Sequence, residues 1–164
     1  MSDPNINRPE WDFERAEFGA RAMRLGPCAG AEQLGATLYE IDPGGAVSPY
    51  HLHHGNEELL IVVSGTPQLR TPDGIRALEP GTVVAFPRGE AGAHRVFNPG
   101  NEPARVIIVS TMNFPEVAEH VDTGTWLTLV GPRDGKAFRA GTDVTFMDVL
   151  PEAMRAGTER DRGG

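Results

Sequence analysis

Twenty glycines and fourteen prolines punctuate this 164-residue chain, spread at short intervals instead of pooled in one low-complexity segment. About a fifth of the positions are therefore hostile to helix, and the chain between them must fold in short pieces. Those pieces are β-branched or aromatic: FGARAMRL (18–25), LGATLYEI (34–41), ELLIVV (58–63), QLRT (68–71), IRAL (75–78), TVVAFP (82–87), HRVFN (94–98) and ARVIIVS (104–110). Turn signals bound them: DPGG at 42–45, SGTP at 64–67, TPDG at 71–74, EPG at 79–81 and NPGNEP at 98–103. Strands at this spacing predict an all-β sandwich or barrel, because βα units would need helical segments of ten or more residues between strands. TWLTLV (125–130) and KAFRA (136–140) read as further edge strands, and PEVAEHV (115–121) as one or two turns of helix. VTFMDVLPEAMRAG (144–157) reads as a closing strand or short helix.

Nothing in the composition divides the chain, and its length suits one domain. Residues 1–17 are polar, carry Pro4 and Pro9, and read as an N-terminal arm anchored by Trp11 and Phe13, with Phe18 just beyond; 18–150 form the β domain; 151–164 read as a flexible tail. Fifteen basic against twenty-three acidic side chains give a net charge of -8, which disfavours nucleic acid or an anionic membrane surface as partner. A small-molecule ligand is the expected partner. No apolar run approaches the ~20 residues of a membrane helix. Cys28 stands alone, and the start MSDPNINRPEWDFE has no signal-peptide pattern, so the expected location is the cytoplasm.

Three of the five histidines fall in HLHHGNEE (51–58), beside two glutamates. On a strand, His51 and His53 point to one face and can reach one ion, whereas His54 has the opposite parity. Imidazole nitrogen and carboxylate oxygen together suit a divalent transition metal. Alone, the cluster is also what an ordinary histidine-bearing turn looks like. His120, in a polar stretch, reads as a surface residue.

A wider frame narrows the choice. Gly45, five residues, His51, one residue, His53, four residues, Glu58, six residues and Gly65 form one block. Gly81, five residues, Pro87, one residue, Gly89, then His94, three residues and Asn98 form a second. Together they resemble the two signature motifs of the cupin superfamily. Four residues separate Gly89 from His94 where two are usual, and both Glu57 and Glu58 fit the first motif, although only Glu58 keeps six residues to Gly65. Over residues 18–125 the chain is similar to a group of single-domain bacterial cupins in which the longer spacing is usual.

The resemblance implies a double-stranded β-helix, a jelly-roll-like barrel, in which His51, His53, Glu58 and His94 converge on one divalent transition metal: Fe, Mn, Ni, Zn, Co or Cu. A metal held by three imidazoles and one carboxylate leaves up to two positions open if six-coordinate. The expected function is therefore a metal-dependent enzyme acting on a small organic molecule, either an oxygenase or a lyase or isomerase working through a metal-bound enediolate. A non-catalytic ligand-binding or sensing barrel is the alternative, with Leu60, Val62, Val83, Ala85 and Val96 as an apolar lining. Sugar-phosphate isomerase, a label used in the narrower group, ranks below both, because a phosphate wants inward cations and only Arg70, Arg76 and Arg105 could line a mouth. No catalytic acid or base is assigned. Tyr50 and Tyr39 are the nearest candidates, and core or interface packing suits both. Apolar residues on both faces of 58–63 and 104–110 predict a homodimer, as is common among cupins.

Overall fold

The structure is a computed structural model and describes residues 3–132, 134–142, 144, 148, 149 and 151. Its strands are β1 (Phe13–Arg15), β2 (Ala20–Arg24), β3 (Gly35–Ile41), β4 (His51–His53), β5 (Glu58–Ser64), β6 (Gln68–Thr71), β7 (Gly74–Ala77), β8 (Val83–Phe86), β9 (Arg95–Phe97), β10 (Ala104–Ser110), β11 (Glu116–His120), β12 (Thr125–Gly131) and β13 (Asp134–Phe138). Every pairing between them is antiparallel. One sheet runs β1-β2-β3-β10-β5-β8, a second β13-β12-β11-β4, and a third β7-β6-β9. The architecture is the expected all-β jelly roll, although the sheets do not close into one continuous ladder. Isolated bridges, Ala46 to Phe97 and His51 to His94, tie the pieces together.

Strand parity decides what is inside. Leu60 and Val62 of β5 lie opposite Ile108 and Val106 of β10, and all four are buried with Ile41, Val47, Leu69, Leu78, Phe86 and Val96. Each such side chain contributes roughly 1.5–3 kcal/mol by leaving water. The alternate residues Leu59 and Ile61 face outward, opposite Ala85 and Val83 of β8. Val83 is 56% exposed, so Val83 and Ala85 do not line the interior as the sequence suggested. VVAF is apolar at every position, so only the register shows that Val84 and Phe86 are the inward pair.

The arm is more ordered than its composition predicts. Its residues 13–15 form the edge strand β1 on β2, and the Trp11 ring sits under the guanidinium carbons of Arg21 and Arg105, 4.7 and 5.8 Å from its centre. Both arginines grip the Glu40 carboxylate, at 2.5 and 2.6 Å. Burial alone would raise the Glu40 pKa, but these hydrogen bonds outweigh it and hold the group below its ordinary value.

Residues 116–120, read from sequence as helix, are strand β11. Glu116 and Ala118 are buried while Val117 and Glu119 are not, a period of two that a charged inward residue hides. The segment 144–157 falls mostly outside the described residues, and 158–164 wholly outside them.

Candidate metal centre

Short β4 carries His51 and His53, Glu58 opens β5, and His94 immediately precedes β9. His51 and His94 are joined by reciprocal backbone hydrogen bonds of 3.1 and 2.8 Å. Their ring centres are 4.5 Å apart, and those of His51 and His53 are 5.0 Å apart. The Nδ1 atoms of two rings are anchored on carbonyls: His51 on Pro49 O at 3.0 Å and His94 on Gly92 O at 2.8 Å. Such anchoring puts the proton on Nδ1 and frees Nε2 as a ligand atom. Glu58 Oε2 lies 3.2 Å from His94 Nε2 and 3.5 Å from His53 Nε2. One ligand atom each from His51, His53 and Glu58 falls within 4.8 Å of the others.

Charge and burial suit a cation. Burial first, then the nearby His94 and His53, pushes the His51 pKa down to about 3, so its ring is neutral at pH 7. Burial opposes ionisation of Glu58, but the adjacent imidazoles of His94, His53 and His51 outweigh it, and the group stays below its ordinary value. His94 is 1% exposed and stacks on Phe86 at 3.7 Å, and its buried Nε2 has no hydrogen bond among the described residues. A buried ring nitrogen left in this way, beside an anionic oxygen, is what a donor set for a divalent transition metal provides.

The longer stretch before His94 folds into a tight turn, Glu90–Gly92. That turn delivers the Gly92 carbonyl to His94, so the longer spacing is absorbed without turning the ring away. Glu57 is exposed and receives its contact through the backbone, whose N–H meets Thr111 Oγ1 at 3.3 Å. His54 faces outward and stacks on Trp126, ring centres 5.2 Å apart. His120 is not the surface residue expected: it is half-buried, and its Cα pairs with that of His51 across β11 and β4.

Tyr50 is buried with Leu52 and Ala93 under the Arg70 guanidinium, 3.9 Å from the ring centre, which leaves it a packing role. Arg70 also pairs with Asp122 at 2.8 Å, while Arg105 is on Glu40 and Arg76 is exposed.

Two residues that the sequence did not single out complete the surroundings. Glu116 is 2% exposed, and its Oε1 lies 3.4 Å from His53 Nδ1. The buried Asn56 donates its Nδ2 to Glu116 Oε2. The glycine of HHGNEE has its reason here, because a Cβ at Gly55 would stand 2.5 Å from Glu116 Oε2.

A cavity of about 240 Å³ opens onto this group. His53, Glu58, Asn56 and Glu116 line it together with the hydroxyl-bearing Thr37, Tyr39 and Ser110, and Ile108, Met112, Phe114 and Leu129 make its apolar wall. A larger hollow of about 720 Å³, under the arm beside Arg8, Met23 and Cys28, includes none of these residues.

Residues 37–110 match the family model described as Cupin domain. The chain is a cupin-type domain protein. Structurally, this cupin is similar to a sugar phosphate isomerase of the cupin superfamily from Silicibacter pomeroyi, with a TM-score of 0.70, 28% identity, and 79% of this chain and 82% of that one covered. It is likewise similar to a provisionally named sugar phosphate isomerase from Acidithiobacillus ferrooxidans, with a TM-score of 0.71, 25% identity, and 77% and 80% covered. A stretch of 82 residues is 37% identical to Auxin-binding protein ABP19b of Prunus persica, covering 46% of this cupin but 38% of that relative's length. Among the described residues, no helix is long and apolar enough to cross a membrane.

Proposed function

We propose that this cupin is a metal-dependent enzyme acting on a small organic molecule, with His51, His53, Glu58 and His94 holding one divalent transition ion. The observation that supports it best is that His53 and Glu58 line a cavity. A structural ion has no need of a chamber beside it, whereas a reacting or bound molecule does. At about 240 Å³ the cavity is below the roughly 300–1,000 Å³ of drug-sized sites, so the ligand is small. An ion held there would supply Lewis-acid or redox chemistry, which fits an oxygenase or a lyase or isomerase. The chain's own part is to orient: Thr37, Tyr39 and Ser110 offer hydroxyls to polar atoms of the ligand, and the apolar wall excludes water from the rest. Tyr39 is the phenol that lines the cavity, and we assign it, over Tyr50, as the candidate proton donor or acceptor.

The two structural relatives carry a sugar phosphate isomerase name, but none of the described cavity residues is lysine or arginine, and Glu58 and Glu116 would repel a phosphate. Ligand binding without turnover is the second reading, supported by the auxin-binding relative. Elemental mass spectrometry on protein purified without chelator or histidine tag tests the centre. Near one metal ion per chain is expected in the parent and almost none in His51→Ala. Little metal in either, and none taken up on reconstitution, would sink the metal reading.

We also propose a homodimer through the outer face of the large sheet, where Leu59, Ile61, Val83, Ala85 and Val109 lie side by side on β5, β8 and β10. Light scattering after size exclusion should give twice the chain mass of 17.7 kDa. A monomer mass, or a dimer that survives Val83→Asp unchanged, would refute this face.

A further inference from the structure

We propose that Glu116 is the positioning residue of His53, accepting a hydrogen bond from the Nδ1–H of the imidazole and thereby aiming Nε2 at Glu58 and the ion. The proposal rests on the metal reading above, but its first observation does not.

His53 Nδ1 is buried and has no hydrogen bond of normal length among the described residues, and Glu116 Oε1 stands 3.4 Å from it. The opposite edge of the same ring presents Nε2 to Glu58 Oε2 at 3.5 Å. Glu116 and the ligand group therefore sit on opposite sides of His53, which makes Glu116 a partner of the ring and not a further ligand.

The surroundings of Glu116 demand a group that only accepts. Gly55 N–H donates to Oε1 at 3.3 Å, and Asn56 Nδ2 donates to Oε2. Asn56 cannot turn its amide over to relieve this requirement. Its Oδ1 already accepts from the Asn113 N–H at 2.5 Å and from the Thr111 hydroxyl at 2.9 Å, and its Nδ2 also donates to Asn113 O at 3.1 Å. The orientation of Asn56 thus fixes donors against Glu116, and a carboxylate meets them where an amide side chain would bring an N–H of its own. A carboxylate buried this deeply is costly unless donors surround it, and His53 Nδ1–H supplies the remaining one. At 3.4 Å the contact is slightly longer than a normal N–H···O hydrogen bond, and a small rotation of either side chain closes it.

Glu116 lies outside the residues 37–110 that match the Cupin domain model and on a different sheet from Glu58. It therefore couples β11 to the metal strand β4. Partners of this kind typically alter metal affinity by roughly 10–100-fold.

A nitrogen-15 NMR measurement of the His53 ring in the chelator-treated parent, at a pH where the imidazoles are neutral, reads the tautomer without any metal. Glu58 competes for the proton from the other edge, so the outcome is not trivial. The proton is expected on Nδ1, and a proton on Nε2 overturns the proposal whether or not any variant folds. Chelator competition with Zn²⁺ then compares the parent with Glu116→Gln and Glu116→Asp. Glu116→Gln should weaken binding roughly 10–100-fold and erase the tautomer preference, and Glu116→Asp should recover part of both. An unchanged tautomer and affinity in Glu116→Gln shows that Glu116 only pins the loop to β11. A parent that binds no Zn²⁺, yet whose His53 tautomer responds to Glu116→Gln, keeps the positioning role and removes the metal reading alone.

Discussion

His53→Ala is expected to weaken Zn²⁺ or Co²⁺ binding by at least about 100-fold, beyond the usual cost of losing an outer partner, while His54→Ala keeps the parent affinity. The contrast comes from two adjacent histidines that share a strand end and differ in parity. His53 turns inward, with Nε2 3.5 Å from Glu58 Oε2. His54 turns outward onto the Trp126 ring, nearly parallel to it at 9°. Removing His53 deletes a ring nitrogen and strands Glu116 without its third donor, so both the ligand set and its support fail together. Removing His54 deletes a surface stack worth about 1 kcal/mol and reaches nothing in the cavity. Competition with a chelator of known affinity reads both variants on one scale. Equal loss in the two would mean that the group around Glu58 is not where the ion sits.

The parts of the fold visible in the sequence are those governed by local chemistry. DPGG, SGTP, EPG and NPGNEP mark chain reversals because proline fixes φ and glycine permits positive φ wherever they stand, so β3, β5, β6, β8 and β10 are bounded by their own residues. Side-chain direction was legible where polarity alternates, as at His51, Leu52 and His53. It was not legible in VVAF, where every residue is apolar and the partner strand alone decides which face is buried.

The candidate centre divides in the same way. His51, His53, Glu58 and His94 stand at motif spacing; ligand atoms of the first three lie within 4.8 Å of one another, and His94 Nε2 is 3.2 Å from Glu58 Oε2. Glu116 has no such mark. It lies 58 positions beyond Glu58, in a segment whose inward residues are a carboxylate, an alanine and a histidine, so the strand looked like a polar helix. Only its donors reveal its role: a backbone N–H, a constrained asparagine and a histidine nitrogen brought together by tertiary pairing of β11 with β4. Gly55 carries no mark of its own in the sequence, and the constraint on it is room for that carboxylate.

Gly92→Ala is expected to destabilise the fold by about 3 kcal/mol or more and to weaken metal binding in the same variant, while Gly131→Ala stays within about 0.5 kcal/mol of the parent. At Gly92 an added Cβ would overlap the carbonyl oxygen of Pro87 and stand 2.8 Å from its carbon. Those atoms are backbone and cannot swing aside as a side chain does, so the Glu90–Gly92 turn must move. Its Gly92 carbonyl holds His94 Nδ1 at 2.8 Å, and any displacement therefore carries the ring away from Glu58. At Gly131 a Cβ meets no atom of the described residues within 4 Å, which makes that change a control for replacing glycine itself. Urea unfolding gives the stability difference, and chelator competition on the folded fraction gives the affinity. A Gly92→Ala protein that loses stability but binds metal as tightly as the parent would show that His94 is held by its stack on Phe86 and not by the turn. One that loses neither would show that the turn geometry assigned to the extra residues is wrong.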